Sequence, residues 1–122
     1  METKESSQMY LETIYVLSQK SDSVRKIDVS KHMGFAKPSV TRGIGLLEKQ
    51  NLVSIDGAGN IFLTEEGEKE AKRIYERHTV LTELLIYIGV DEKVAADDAC
   101  RVEHYISDET FNAIKKHMKK CR

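Results

Sequence analysis

The 122-residue chain is 40% hydrophobic and 32% charged, the profile of one small globular domain or of a compact domain with an added dimerisation element. Its formal net charge of −1 gives no global signal for a nucleic-acid partner, and its two cysteines, Cys100 and Cys121, exclude a disulfide framework. We read no signal peptide, no apolar stretch long enough for a bilayer and no lipidation motif, so no membrane partner is expected and the expected location is the cytoplasm, where Cys100 stays reduced.

Ser6-Ser7 opens an amphipathic helix whose apolar face is built by Met9, Leu11, Ile14, Tyr15, Val16 and Leu17, ending between Ser18 and Ser23. A second, short helix runs from Lys26 or Ile27 to Met33 and closes on Gly34, since helices commonly end on a left-handed glycine. Phe35-Ala36 form a turn. Pro38 then suits the first turn of a third helix, where its missing N–H costs nothing, and that helix runs to about Gln50 with Val40, Ile44, Leu46 and Leu47 inward. Leu52–Ile55 and Ile61–Thr64, joined by Asp56-Gly57-Ala58-Gly59-Asn60, read as a β-hairpin.

Thr64 is the expected N-cap of a long fourth helix. Gly67 stands where a capping box would put its acid. The helix carries an apolar stripe of Ala71, Ile74, Tyr75, Val80, Leu81, Leu84, Leu85 and Ile88, ending at Gly89. A fifth helix is predicted from Asp91 to about Ile106, and Ser107 caps a sixth from Asp108 to about Lys119. Three helices, a hairpin and a long helix in that order form the winged helix-turn-helix layout.

Charge is unevenly spread. From Val24 to Lys49 there are six bases against two acids, a local net of +4, whereas from Glu65 to Arg122 there are eleven bases against thirteen acids. Positive charge gathered on one segment suits a phosphate-binding face. The candidate DNA contacts are Lys26 and, at the start of the third helix, Lys37, Pro38, Ser39, Thr41 and Arg42. The major groove admits one helix; hydroxyls there reach phosphates or base edges, and Arg42 reaches a guanine edge or a phosphate. The expected partner is a double-stranded DNA operator read by a homodimer. Leu81, Leu84, Leu85 and Ile88 are expected to be buried between subunits or beneath the sixth helix. Gly43 and Gly45, inside the recognition helix, are expected to have no role beyond close packing.

Cys100, Glu103 and His104 form the chemical centre of the chain. At i, i+3 and i, i+4 they share one face of a helix. Sulfur, carboxylate and imidazole together suit a late first-row divalent metal better than calcium or magnesium.

Five segments resemble, in order, the diphtheria-toxin-repressor family of iron- and manganese-dependent repressors. They are Met9-Tyr10-Leu11-Glu12-Thr13-Ile14-Tyr15, Ala36-Lys37-Pro38-Ser39-Val40-Thr41, Leu63-Thr64-Glu65-Glu66-Gly67, Arg77-His78 and Ala99-Cys100-Arg101-Val102-Glu103-His104. The resemblance covers essentially the whole chain. It implies a mostly α fold with a small hairpin wing, a winged helix-turn-helix over residues 1–72 and a metal-binding and dimerisation domain over residues 73–122. It implies metal ligands Met9, Cys100, Glu103 and His104, with Glu12 matching the manganese branch and His78 matching both branches.

Manganese-selective members resemble Asp and Glu where this chain has Met9 and Cys100. Two sulfurs favour Fe²⁺ over Mn²⁺, so Fe²⁺ is the expected effector, with Mn²⁺, Co²⁺, Ni²⁺ and Zn²⁺ as alternatives. Thr82 and Ala96 stand where the iron branch has ancillary-site ligands, and the chain resembles the short members that lack an SH3-like domain. The expected function is metal-dependent repression of metal-homeostasis genes, not enzymatic catalysis. The rivals are a winged-helix regulator sensing thiol oxidation through Cys100 and a Mn²⁺-responsive regulator.

Overall fold

The structure is a computed structural model that describes residues 4–121. Internal contacts divide the chain into two compact units, Met1–Lys72 and Arg73–Arg122. The first contains α1 (Lys4–Lys20), α2 (Lys26–Met33), α3 (Lys37–Lys49), β1 (Val53–Ile55), β2 (Ile61–Leu63) and the first turns of α4 (Glu65–Tyr87). The second contains the rest of α4, α5 (Glu92–Val102) and α6 (Asp108–Cys121).

In the first unit α1, α2 and α3 pack on one another around Leu11, Ile14, Val29, Val40, Ile44 and Leu47, all at most 1% exposed. Leu46, expected inward with them, is only half-buried. α2 closes at Gly34 (φ 72°), its N–H bonded to the Ser30 carbonyl. α3 carries Pro38 in its first turn. Its end is made by Asn51, a non-glycine residue in the left-handed region (φ 62°), which lets the Leu52 N–H return to the Leu47 carbonyl at 3.0 Å; asparagine tolerates that conformation better than most residues.

The two strands are antiparallel, with Ser54 opposite Phe62. The loop between them is ordered by Asp56, whose carboxylate accepts from the Ala58 and Asn60 backbone N–H groups at 3.0 and 2.8 Å and from the Asn60 side chain at 3.1 Å. Arg25, just before α2, donates to the Ala58 carbonyl from its guanidinium, and the Ile61 N–H donates to the Val24 carbonyl at 2.7 Å. The wing is thus tied at its tip and its base to the start of α2.

Thr64 caps α4, its Oγ1 accepting from the Gly67 N–H at 3.0 Å. No acid completes a capping box at Gly67 because no side chain fits there: a Cβ would stand 1.9 Å from the Leu52 carbonyl oxygen.

In the second unit, Val80, Phe111 and Met118 form a small core on which Leu84, Ile106 and Ile114 pack, and Lys115 pairs with Glu76 at 2.9 Å. Two members of the expected α4 stripe depart from it: Tyr75 is 42% and Ile88 65% exposed. Ile88 with Ile86, Tyr87 and Val94 leaves apolar surface open at the end of α4 and the start of α5. No helix among the described residues is long and apolar enough to cross a membrane.

A candidate metal centre and a candidate nucleic-acid interface

The fifth helix stops at Val102, not near Ile106 as its periodicity suggested. Arg77, from α4, is the reason. Its Nη1 donates to the carbonyl oxygens of Glu103 (3.4 Å) and Ile106 (2.7 Å), and its Nη2 to the Asp108 carboxylate. A continuing helix would direct the Glu103 carbonyl to an N–H four residues on. Ser107 then opens α6, its Oγ accepting from the Thr110 N–H at 3.1 Å. The Arg77 guanidinium is nearly buried and lies 5.2 Å from the centre of the Phe111 ring, a cation–π arrangement that offsets part of its desolvation.

Glu103 is therefore the C-cap of α5 and His104 lies in the turn beyond it. Glu103 keeps a right-handed backbone (φ −57°, ψ −24°), so the chain continues its helical path far enough to hold the cluster together. One donor atom each of Cys100, Glu103 and His104 lies within 4.8 Å of the others. His78, one residue after Arg77, meets the same carboxylate from its other oxygen: its Nδ1 is 3.0 Å from Glu103 Oε2, while His104 Nε2 is 3.3 Å from Glu103 Oε1. Arg77 thus holds the backbone of Glu103 while the imidazole next to it holds the carboxylate.

The side chains of Glu103 and His104 have no exposed surface, and that of His78 is 26% exposed. A buried carboxylate is costly unless cations or strong donors face it. Here two imidazoles face it, with a half-buried thiol beside them. Thiolate, imidazole and carboxylate converging in a buried place are the donor types that late first-row divalent ions take, so the residues present fit such an ion. Met9 and Glu12 lie three residues apart on α1 of the first unit, hence on one face of that helix, and both are half-buried.

The candidate nucleic-acid face belongs to the first unit. Lys37, Pro38, Thr41 and Arg42 are exposed on α3, whereas Val40, Ile44 and Leu47 are buried. Ser39 is half-buried, and its Oγ accepts from Arg42 Nη2 at 3.4 Å. Lys26 is the first residue of α2 and is half-buried.

Two residues whose contacts matter, Arg77 and Tyr10, stand in the family-like segments but have no role assigned from the sequence. Arg77 had a signal: with His78 it fills the slot between Ile74 and Leu81 where an apolar residue would continue the stripe. Tyr10 had none, since an aromatic on an apolar face reads as ordinary core.

A winged helix with a basic recognition helix, joined in one chain to a helical unit bearing a buried sulfur, nitrogen and oxygen donor set, defines a metal-responsive DNA-binding regulator. The profile of the iron dependent repressor N-terminal DNA binding domain matches residues 2–59, and that of the iron dependent repressor metal binding and dimerisation domain matches residues 64–122. The chain belongs to this family of metal-dependent, DNA-binding transcriptional repressors.

Among its relatives, the transcriptional regulator MntR of Escherichia coli O157:H7 is 32% identical over 106 residues, covering 87% of this chain and 68% of that protein. An uncharacterized HTH-type transcriptional regulator of Methanocaldococcus jannaschii is 31% identical over 120 residues, covering 97% of this chain and 96% of its own. Among solved structures, a manganese-dependent transcriptional repressor in complex with manganese superposes with a TM-score of 0.85 at 25% identity, over 93% of this chain. This chain spans about half the length of that one (52%).

Proposed function

We propose that this protein is an Fe²⁺-responsive repressor of metal-homeostasis genes, acting in the cytoplasm as a homodimer on a two-half-site operator. The observation that carries the reading is the convergence of Cys100, the buried Glu103 and the buried His104 within 4.8 Å of one another, with His78 on the other oxygen of the Glu103 carboxylate. In this proposal those four residues hold the ion, with Met9 and Glu12 of α1 completing the set as the resemblance implies. When bound, the ion supplies the positive charge that allows a thiolate and a carboxylate to share a buried place. The chain's own residues do the rest. Arg77 and His78 orient Glu103, Met9 and Glu12 make the position of α1 depend on the site, and Lys26, Lys37, Pro38, Ser39, Thr41 and Arg42 meet the DNA. A ligand shifts such an equilibrium only through different affinities for the two states, so the DNA-competent arrangement must be the one in which these side chains bind the ion better.

The preference for iron rests on sulfur at Met9 and Cys100. The manganese-responsive alternative draws on the solved relative that carries manganese and on the oxygen donors of Glu12 and Glu103. Binding to a palindromic duplex, titrated with Fe²⁺, Mn²⁺ and Zn²⁺ under anaerobic, reducing conditions, separates them. The expected result is that Fe²⁺ tightens DNA binding at lower free concentration than Mn²⁺; the reverse order favours manganese, and no response to any metal overturns both.

A further inference from the structure

Tyr10 follows Met9 on α1 and is 2% exposed. Its ring occupies the space that a side chain at position 43 would need: a Cβ on Gly43 would stand 2.2 Å from Tyr10 Cε2 and 2.5 Å from Cδ2. Its hydroxyl donates to the backbone carbonyl of Ser39 at 3.2 Å, one turn earlier on α3. Phe35, in the turn that leads into α3, meets the same ring edge-on, with centroids 6.0 Å apart and planes at 75°. One side chain of α1 therefore touches the entry turn, the first turn and the second turn of the recognition helix.

A glycine inside a helix costs about 1 kcal/mol relative to alanine. At Gly43 the cost is met by this seat, whereas at Gly45, two residues on, an added Cβ would meet nothing within 4 Å. The contact also differs in kind from the apolar packing around it. Hydrophobic burial is non-directional and lets helices slide, while a hydrogen bond to one carbonyl and a ring set into a missing Cβ fix register along and across the helix.

We infer that Tyr10 is the positioning residue through which the state of the metal centre reaches the recognition helix: seated on Gly43 and bonded to Ser39, it makes the start of α3 follow α1. This rests on the reading of Met9 and Glu12 as metal ligands. Movement of α1 at Met9 is then carried by the adjacent residue to the backbone of Ser39 and so to Lys37, Thr41 and Arg42.

The test uses the full chain, its Tyr10→Phe and Gly43→Ala variants, and one palindromic duplex enriched from a random pool by the wild-type protein loaded with Fe²⁺ or Mn²⁺. DNA affinity is measured with and without each metal, and metal affinity with and without DNA. Tyr10→Phe keeps the ring and removes only the hydroxyl. It is expected to leave metal affinity in the absence of DNA unchanged and to reduce the metal-dependent gain in DNA affinity by about three- to ten-fold, the range of one net hydrogen bond. Because coupling is reciprocal, the gain in metal affinity caused by DNA must fall by the same factor. Gly43→Ala, which unseats the ring, is expected to reduce the gain further. An unchanged gain in Tyr10→Phe overturns the inference, as does an equal loss of DNA affinity with and without metal, or a loss of metal affinity in the absence of DNA. A wild-type protein whose DNA affinity ignores both metals overturns the inference together with the reading beneath it.

Discussion

At the scale of single residues, neighbours of the same type have opposite meanings. Gly43 is buried against Tyr10 and Gly45 faces open space. Gly45→Ala should therefore stabilise the protein by about 1 kcal/mol through helix propensity. Gly43→Ala should destabilise it, because the overpacking cost of about 1–3 kcal/mol exceeds that gain; thermal melts of the two variants should move in opposite directions. The two sulfurs make a second residue-scale claim. Cys100→Ser should weaken metal binding, and Met9→Asp with Cys100→Glu should shift the preference toward Mn²⁺. Competition between Fe²⁺ and Mn²⁺ for the double variant checks this, and an unchanged ratio contradicts the selectivity argument.

At the scale of elements, the recognition helix and the wing behave differently toward salt and pH. Lys37 and Arg42 are both exposed on α3. Lys37→Ala should weaken binding to all sequences alike and flatten the salt dependence, as loss of a phosphate contact does. Arg42→Ala, where the arginine reads a base, should cost roughly 1–3 kcal/mol and relax preference at one position; binding to a set of single-base operator variants at two salt concentrations distinguishes the two. The wing carries an acid-stable turn. The Asn60 backbone N–H, then the Asn60 side-chain amide, hold the Asp56 carboxyl below the usual carboxylate range, with help from Ala58 and Gly59. A carboxyl whose pKa is lower folded than unfolded stabilises the fold above its unfolded value, near pH 4, and loses that contribution as pH falls through the folded value. The Ala58 and Asn60 amides should accordingly keep their order from neutral pH down to about pH 4 and lose it only below, as seen by NMR; loss already at pH 5–6 would contradict the role of Asp56.

At the scale of the whole molecule, the second unit has a small core and a large apolar remainder. Leu81 is 3% exposed and Leu84 packs on the Val80, Phe111 and Met118 core, yet Tyr87, Ile88 and Val94 are 63, 65 and 49% exposed. Exposed apolar surface of this kind, in a chain matching a dimerisation domain, is the expected subunit contact. Sedimentation at micromolar concentration should show a dimer, and Tyr87→Asp with Ile88→Asp should convert it to a monomer without unfolding α4. A monomeric wild type would remove this face, and with it the expectation of a two-half-site operator.

Features that obey local rules were legible in the residues alone. Pro38, Gly34, the Thr64 and Ser107 caps and the hairpin loop each act within a turn or two, so type and spacing suffice to place them. The cluster Cys100, Glu103 and His104 was legible for the same reason, because three residues within one turn share a face whether the helix continues or ends. What only the tertiary structure decided depends on atoms far away in sequence. α5 ends at Val102 because a guanidinium 26 residues earlier binds the Glu103 carbonyl. Gly67 is glycine because the Leu52 carbonyl presses on it, and Gly43 because a tyrosine from α1 does. His78 reaches the cluster across helices, at a separation of 25 residues. Propensity and periodicity describe a chain's relation to its own neighbours; a steric limit or a shared carboxylate is a relation between distant segments, and it exists only once they have packed.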